Sequence, residues 1–335
     1  MRRARVWVAQ PLFDDVIERL REHCDVSVEP SVVEHTPAAM AASLRDMDGA
    51  LVTLNERIGG AEIARAASLR AIANVGVGCN NLDLDVLGAA GIIATNTPDV
   101  LTETTADFGW ALLMAAARRV GEGERWLRGG HSQQWLFDRL LGHDVHGATL
   151  GILGMGRIGQ AIARRATGFR MRVLYHNRSR VDAATEHECD ASYVSFETLL
   201  AQSDHLIVIL PYSASSHHLI DATALARMQP TAVLVNIARG GIVDDAALAQ
   251  ALASGRLAAA GLDVFEGEPE LHERLLSLEN VVLTPHIASA SRATRRAMVS
   301  VAVDNLLAAL GLGAHAGRPP DVVNAAALGR RGADV

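Results

Sequence analysis

Two periodicities alternate along this chain. Short apolar runs of strand length are followed by stretches whose apolar positions recur with helical spacing. In the first part, residues 6–9, 26–28, 49–54, 71–75 and 92–95 read as strands. Residues 12–23, 37–44, 61–67 and 82–89 read as helices, with Leu12, Val16, Ile17 and Leu20 on one face of the first. This alternation predicts a doubly wound α/β domain. Residues 102–120 form the longest helical stretch, apolar nearly all round its centre, which predicts burial. Residues 121–147 lose the pattern, with Gly129, Gly130 and Gly142 as breakers. Here Trp126, Trp135 and Phe137 fit either a subunit interface or a local satellite core.

A second array begins at Ala148. Strands are predicted at 150–153, 172–176, 191–194, 206–210, 232–236, 258–262 and 281–284, with helices at 196–201, 222–228 and 244–253 between them. A long helix over 292–310 is placed to return to the first domain, and the chain from Gly311, rich in Gly, Ala and Pro, is expected to lose order at its end.

The second array opens on a phosphate-binding signature. Leu150-Gly151-Ile152-Leu153 runs into Gly154-Met155-Gly156-Arg157-Ile158-Gly159, and helical spacing continues over 160–166. In a G-x-G-x-x-G between strand and helix, the first glycine permits the turn, the second admits a pyrophosphate and the third lets helix and strand pack. Free N–H groups at the helix start favour an anion. An acidic residue about 20 positions further on would hold the ribose 2′-hydroxyl of NAD. Here Asn177 is followed by Arg178, Ser179 and Arg180. A carboxylate would repel a 2′-phosphate, whereas Arg178 can grip one through its planar fork and Ser179 can donate to it. The segment therefore reads as preferring NADP(H), with NAD(H) as the second option. The plain alternative is a solvated Asn-Arg turn that tolerates either.

Composition removes several classes of function. With 335 residues the chain is long for one core and fits two domains. A net charge of −7 argues against nucleic acid or anionic lipid as the main partner. No apolar run approaches a membrane span, and the apolar stretch after the basic Met1-Arg2-Arg3 start is too short for a signal peptide. Cys24, Cys79 and Cys189 are odd in number, scattered and without metal spacing, which predicts a reduced, cytoplasmic chain and no metal site. There is no lysine, so Schiff-base catalysis and a Walker-type phosphate lysine are excluded.

Candidate chemistry gathers at predicted strand ends, where open α/β sheets place ligands. In the first half these are the loops 54–57 and 74–81, the latter with Gly76 and Gly78 able to offer bare N–H groups; ordinary strand-to-helix turns are the other reading. In the second half, Arg239 follows one strand, Glu268 the next and His286 the last. Singly they read as a surface ion pair, a solvated carboxylate and a structural histidine. Three such groups on the ligand edge of a dinucleotide fold read as a catalytic set.

These blocks carry a resemblance. Residues 154–159, 236–241, 261–269 and 284–289, in this order and spacing, resemble the D-isomer-specific 2-hydroxyacid dehydrogenases over nearly the whole chain. Residues 102–113, Leu210-Pro211 and His218-Leu219-Ile220 match as well. Within the family, Asp144-Val145-His146 and residues 302–306 are most similar to the glyoxylate/hydroxypyruvate and 2-ketogluconate reductases. The resemblance implies two doubly wound parallel-sheet domains. One is a flavodoxin-like substrate domain, 1–102 plus 290–325, and the other a Rossmann cofactor domain, 103–289. It implies a homodimer acting on a small 2-keto or 2-hydroxy acid.

The roles it implies fit the chemistry. Arg239 would hold the substrate carboxylate and polarise the keto group. His286 would donate the proton, backed by Glu268 on its other nitrogen. The amides of Val77 and Gly78, with Leu54 nearby, would take the remaining carboxylate oxygen. Asp263 would orient the cofactor and the site, and Thr105, Ile237 and Ser289 would line the nicotinamide end. The implied cofactor site continues through Gly154, Met155, Gly156, Arg157, Ile158, Gly159, Asn177, Arg178, Ser179, Leu210, Pro211, Ala238, Arg239, His286 and Ala288. Leu140 and Leu141 stand where some short-chain reductases carry bulky aromatics, which leaves acceptor size open. Asn74, where phosphoglycerate dehydrogenases often have arginine, makes that substrate the weaker alternative. A cofactor-sensing binding protein is the rival from another class, but Arg239, Glu268 and His286 are all retained.

Overall fold

The computed structural model describes residues 2–328 except Val33, Glu34, 132–134, Leu136 and Ala326. The chain divides into two compact units, Met1–Leu101 with Ser291–Val335, and Thr102–Ala290. Each is a parallel sheet between helical layers.

The first unit holds β1 (Ala4–Val8), β2 (Cys24–Val28), β3 (Gly49–Val52), β4 (Ala71–Asn74) and β5 (Ile93–Thr95), in the order 2-1-3-4-5. That is the flavodoxin-like arrangement. All its ladders are parallel. The helix Pro37–Leu44 starts where the sequence places it, because Thr36 accepts from the Ala39 N–H and Pro37 loses no hydrogen bond in the first turn. Trp7, Met40, Leu44, Ile58, Ile72 and Leu87 pack one face. The helix Arg292–Ala309, capped by Ser291, covers β3 and β4 on the other. The chain beyond Gly311 keeps its order further than composition suggests. Val323 donates to Ala94, and Asn324 accepts from Ala94 and donates to Ile92, tying this segment to the edge of β5. The expected loss of order at the very end falls on residues outside those described.

The second unit holds β6 (Thr149–Leu153), β7 (Arg172–His176), β8 (Ala191–Tyr193), β9 (His205–Val208), β10 (Val233–Asn236), β11 (Ala259–Leu262) and β12 (Val281–Leu283). Their order is 12-11-10-9-6-7-8. Counted from its own first strand, this is the Rossmann order with one further strand, and its direction reverses at β6 and β9. A ligand crevice is expected at that reversal, beyond the carboxyl ends of the strands. Every residue of β9, β10 and β11 is buried, because helices cover both faces, whereas the edge strands β8 and β12 are buried at one residue each.

One expectation fails in this unit. The helix from Thr102 ends at Ala117 rather than continuing to Val120, and a second helix, Val120–Arg128, occupies a stretch that reads as irregular in the sequence. Arg119 stands in the left-handed region, φ 53°, and breaks the two apart. Gly121 and Gly123 hide the second helix from a reading of the sequence, since each lowers helix propensity by about 1 kcal/mol. The aromatic residues there divide. Trp126 is half-buried, with the Arg139 guanidinium 4.4 Å from its ring centroid, so it belongs to a local cluster. Trp135 and Phe137 remain 85% and 82% exposed and meet edge to face. Among the described residues, no helix is long and apolar enough to cross a membrane.

Candidate active site

The glycine motif forms the turn its spacing predicts. Gly154 has φ +114°, and a Cβ there would lie 2.6 Å from the Ile209 carbonyl oxygen. A Cβ on Gly159 would lie 2.1 Å from the Gly154 carbonyl oxygen, so helix and turn are in contact through bare backbone. Gly156 faces open space and caps the helix Arg157–Ala166, whose first turn carries no acidic residue. This is an anion cradle of the kind a dinucleotide pyrophosphate fills. Asn177, at the end of β7, does something spacing does not disclose. Its Oδ1 accepts from the Met155 N–H at 2.7 Å and ties the cradle to the strand. Next to it, Arg180 is held by Glu186 through two bonds of 2.7 and 2.6 Å, while Arg178 is exposed and makes no side-chain bond with any described residue.

Thr105 adds a second fit to a cofactor. It is buried at 5% exposure, yet its hydroxyl has no hydrogen-bond partner among the described residues. A buried hydroxyl left unpaired is unfavourable, and a bound molecule would satisfy it.

The three candidate catalytic residues follow adjacent strands. Arg239 lies half-buried after β10, where Asn236 accepts from the Ala238 N–H and donates to the Arg239 carbonyl, shaping the turn. After β11, Glu268 folds back so that Oε1 accepts from the Phe265 N–H at 2.7 Å. Its Oε2 meets His286 Nδ1 at 2.9 Å. The bond joins the loops after β11 and β12 and leaves His286 Nε2 as the nitrogen not committed to Glu268.

Asp263 is the anchor of that arrangement. Wholly buried, its carboxylate accepts from the N–H groups of Ile287 and Ala288, each at 2.8 Å, and from the Thr284 hydroxyl at 2.7 Å. Its carbonyl accepts from the His286 N–H. This grip holds His286 at φ 52°, a left-handed conformation that a non-glycine residue keeps only when its surroundings impose it. The resemblance implies that Asp263 orients the cofactor and the site; its carboxylate bonds the histidine turn, while its N–H donates to the Asn236 carbonyl before Arg239.

Asp245 carries no signal in the sequence that sets it apart. Buried at 4% exposure, it accepts from the Glu266 N–H at 3.0 Å and so supports the Glu268 loop from beneath. Burial pushes its carboxyl up from 3.8 to about 6. A raised carboxyl is penalised when charged, so stability falls as pH rises from 4 toward 6 and the penalty stays in full above that. Asp245→Asn keeps the acceptor and cannot ionise. It is expected to raise stability at pH 7.5 by on the order of 2 kcal/mol, with the gain vanishing near pH 4, measured by denaturant unfolding at both pH values.

Leu54, Val77 and Gly78 belong to the first unit, after β3 and β4. Ile237, Ala238 and Ala288 are buried beside the strand ends of the second unit, Ser289 and Leu210 are half-buried, and Pro211 is exposed.

Residues 110–288 match the model of the D-isomer specific 2-hydroxyacid dehydrogenase NAD binding domain. The chain belongs to the D-isomer-specific 2-hydroxyacid dehydrogenase family. A glyoxylate reductase of Thermococcus gammatolerans is 45% identical over 308 residues, 91% of this chain and 92% of the relative. One of Aeropyrum pernix is 42% identical over 329 residues, 97% of each. Among solved structures, the NADPH-dependent glyoxylate/hydroxypyruvate reductase of Sinorhizobium meliloti in complex with NADP and malonate is 37% identical. It matches with a TM-score of 0.81 over 96% of this chain and 97% of that one. This dehydrogenase is therefore a nicotinamide-dependent oxidoreductase acting on CH–OH donors, and the cradle, the unpaired Thr105 hydroxyl and the strand reversal fit such a cofactor.

Proposed function

We propose that this dehydrogenase reduces small 2-keto acids of the glyoxylate and hydroxypyruvate class to hydroxy acids, as the D-isomer where a stereocentre forms, with NADPH preferred to NADH. The observation that carries the reading is the 2.9 Å bond between Glu268 and His286, with Arg239 on the neighbouring strand end. The names of the relatives support the substrate class. 2-Ketogluconate is the larger acceptor to test beside them.

When bound, the nicotinamide supplies a hydride to the keto carbon. Arg239 offers a planar, permanently charged fork to the carboxylate and keto oxygen, drawing electron density off the carbonyl. His286 gives the proton on Nε2 to that oxygen as the alkoxide develops. Glu268 stays on Nδ1 throughout, fixing the ring and neutralising the imidazolium before transfer. The balance is complete: hydride to carbon, proton to oxygen, and a histidine left neutral until solvent recharges it.

Arg178, which has no side-chain bond among the described residues, together with Asn177 in place of an acidic residue at the end of β7, supports the NADPH preference. Arg178→Ala is expected to lower kcat/KM with NADPH about tenfold or more and to leave NADH nearly unchanged, the loss of one charge-assisted pair. Equal losses with both would reject the preference. The exposed Trp135 and Phe137 rings support a homodimer, which sedimentation would test. The deciding assay measures NADPH and NADH oxidation with glyoxylate, hydroxypyruvate, pyruvate, 2-ketogluconate and phosphohydroxypyruvate. Cofactor binding without turnover on any of them would overturn the reading.

A further inference from the structure

Folding assembles a second cluster of ligating side chains that the proposed reaction does not use. His217 and His218 stack with ring centroids 3.9 Å apart and 21° between their planes. His218 Nε2 lies 2.9 Å from Glu266 Oε2, a carboxylate on the loop after β11. One nitrogen from each histidine and a Glu266 oxygen all fall within 4.8 Å of one another. His217 and Glu266 are exposed and His218 half-buried, so an ion can enter from solvent.

We propose that His217, His218 and Glu266 bind a divalent cation of the zinc and nickel class, bridging the loop after β9 to the loop after β11. Two imidazoles and a carboxylate are a donor set that zinc accepts, with a fourth position left to water. A tetrahedral ion holds its ligand atoms about 3.3 Å apart, a contraction that mobile surface side chains can make. Outer partners stand behind both rings. The Tyr212 hydroxyl lies 3.2 Å from His217 Nδ1, and Asp244 lies 4.0 Å from His218 Nδ1. The Tyr212 contact engages Nδ1 of His217 and leaves its Nε2 toward a metal, and Asp244 adds a negative charge near His218. The ion takes the place of the proton shared between His218 and Glu266.

The site is coupled to the Arg239 loop through backbone. The His218 N–H donates to the Gly241 carbonyl at 2.7 Å, two residues after Arg239. Occupancy would stiffen that loop and slow turnover, while the site itself stands whether or not the substrate reading holds.

The test uses full-length protein, free of any affinity tag and treated with chelator, titrated calorimetrically with zinc chloride. Cobalt(II) absorption serves as the geometric readout. The expected result is one equivalent bound, intense tetrahedral cobalt bands, and a melting temperature raised by zinc. His217→Ala, His218→Ala and Glu266→Gln each weaken binding by about tenfold or more. Their unchanged melting without metal shows that they are folded. No binding, or binding that all three variants retain, overturns the site. Inhibition by zinc that persists in Glu266→Gln, or bound zinc without any change in turnover, overturns the coupling.

Discussion

Replacing His286 with alanine is expected to lower kcat for keto-acid reduction by about two to four orders of magnitude, the range by which a placed proton donor accelerates a reaction. The loss should fall on kcat rather than KM, because the proton is needed when negative charge builds on the keto oxygen and not before. Added imidazole should restore part of the rate and leave cofactor affinity unaltered, a rescue that a purely structural role would not give. Glu268→Gln should lose less, since the glutamine oxygen can still accept from the Phe265 N–H while its NH2 turns to Nδ1, but it brings no charge and reverses that hydrogen bond. Steady-state kinetics with NADPH and glyoxylate measures all of these. A His286→Ala enzyme retaining a tenth or more of the parent kcat would remove histidine from the reaction.

Arg239→Lys is expected to reduce kcat/KM by about two to three orders of magnitude although the charge is conserved. Lysine presents a point charge that can meet one oxygen at a time, whereas the guanidinium fork can hold a carboxylate and a keto oxygen together. Both parameters should suffer: KM because the carboxylate is held less well, kcat because the carbonyl is less polarised. Guanidinium added to Arg239→Ala should recover activity, and a neutral denaturant such as urea should not. Loss confined to KM would make Arg239 a binding residue only.

The architecture is legible in local signals wherever one force dominates. Buried parallel strands show as uninterrupted apolar runs, and the Thr36-Pro37 pair marks a helix start through capping and ring geometry. Arg239, Glu268 and His286 are visible because each follows its own strand, and strand ends can be found from periodicity. What stays hidden depends on contacts between distant residues. Nothing near Asp263 in the chain says that its carboxylate will collect the N–H groups of a turn more than twenty residues on. Asp245 reads as one more acidic residue opening a helix, until burial beneath the Glu268 loop gives it another task. The helix Val120–Arg128 is masked by its glycines, and its start depends on a left-handed arginine that local propensity disfavours.

Gly240 leaves no space at all: a methyl carbon there would sit 1.7 Å from the Phe265 carbonyl oxygen. The backbone one residue after the guanidinium and the backbone three residues before the carboxylate thus meet like interlocked gear teeth, with no room for a side chain between them. Evolution within this scaffold should then leave that spacing alone and retune acceptor preference through segments remote from the contact, so variants selected for a bulkier keto acid should keep glycine at 240 in every lineage.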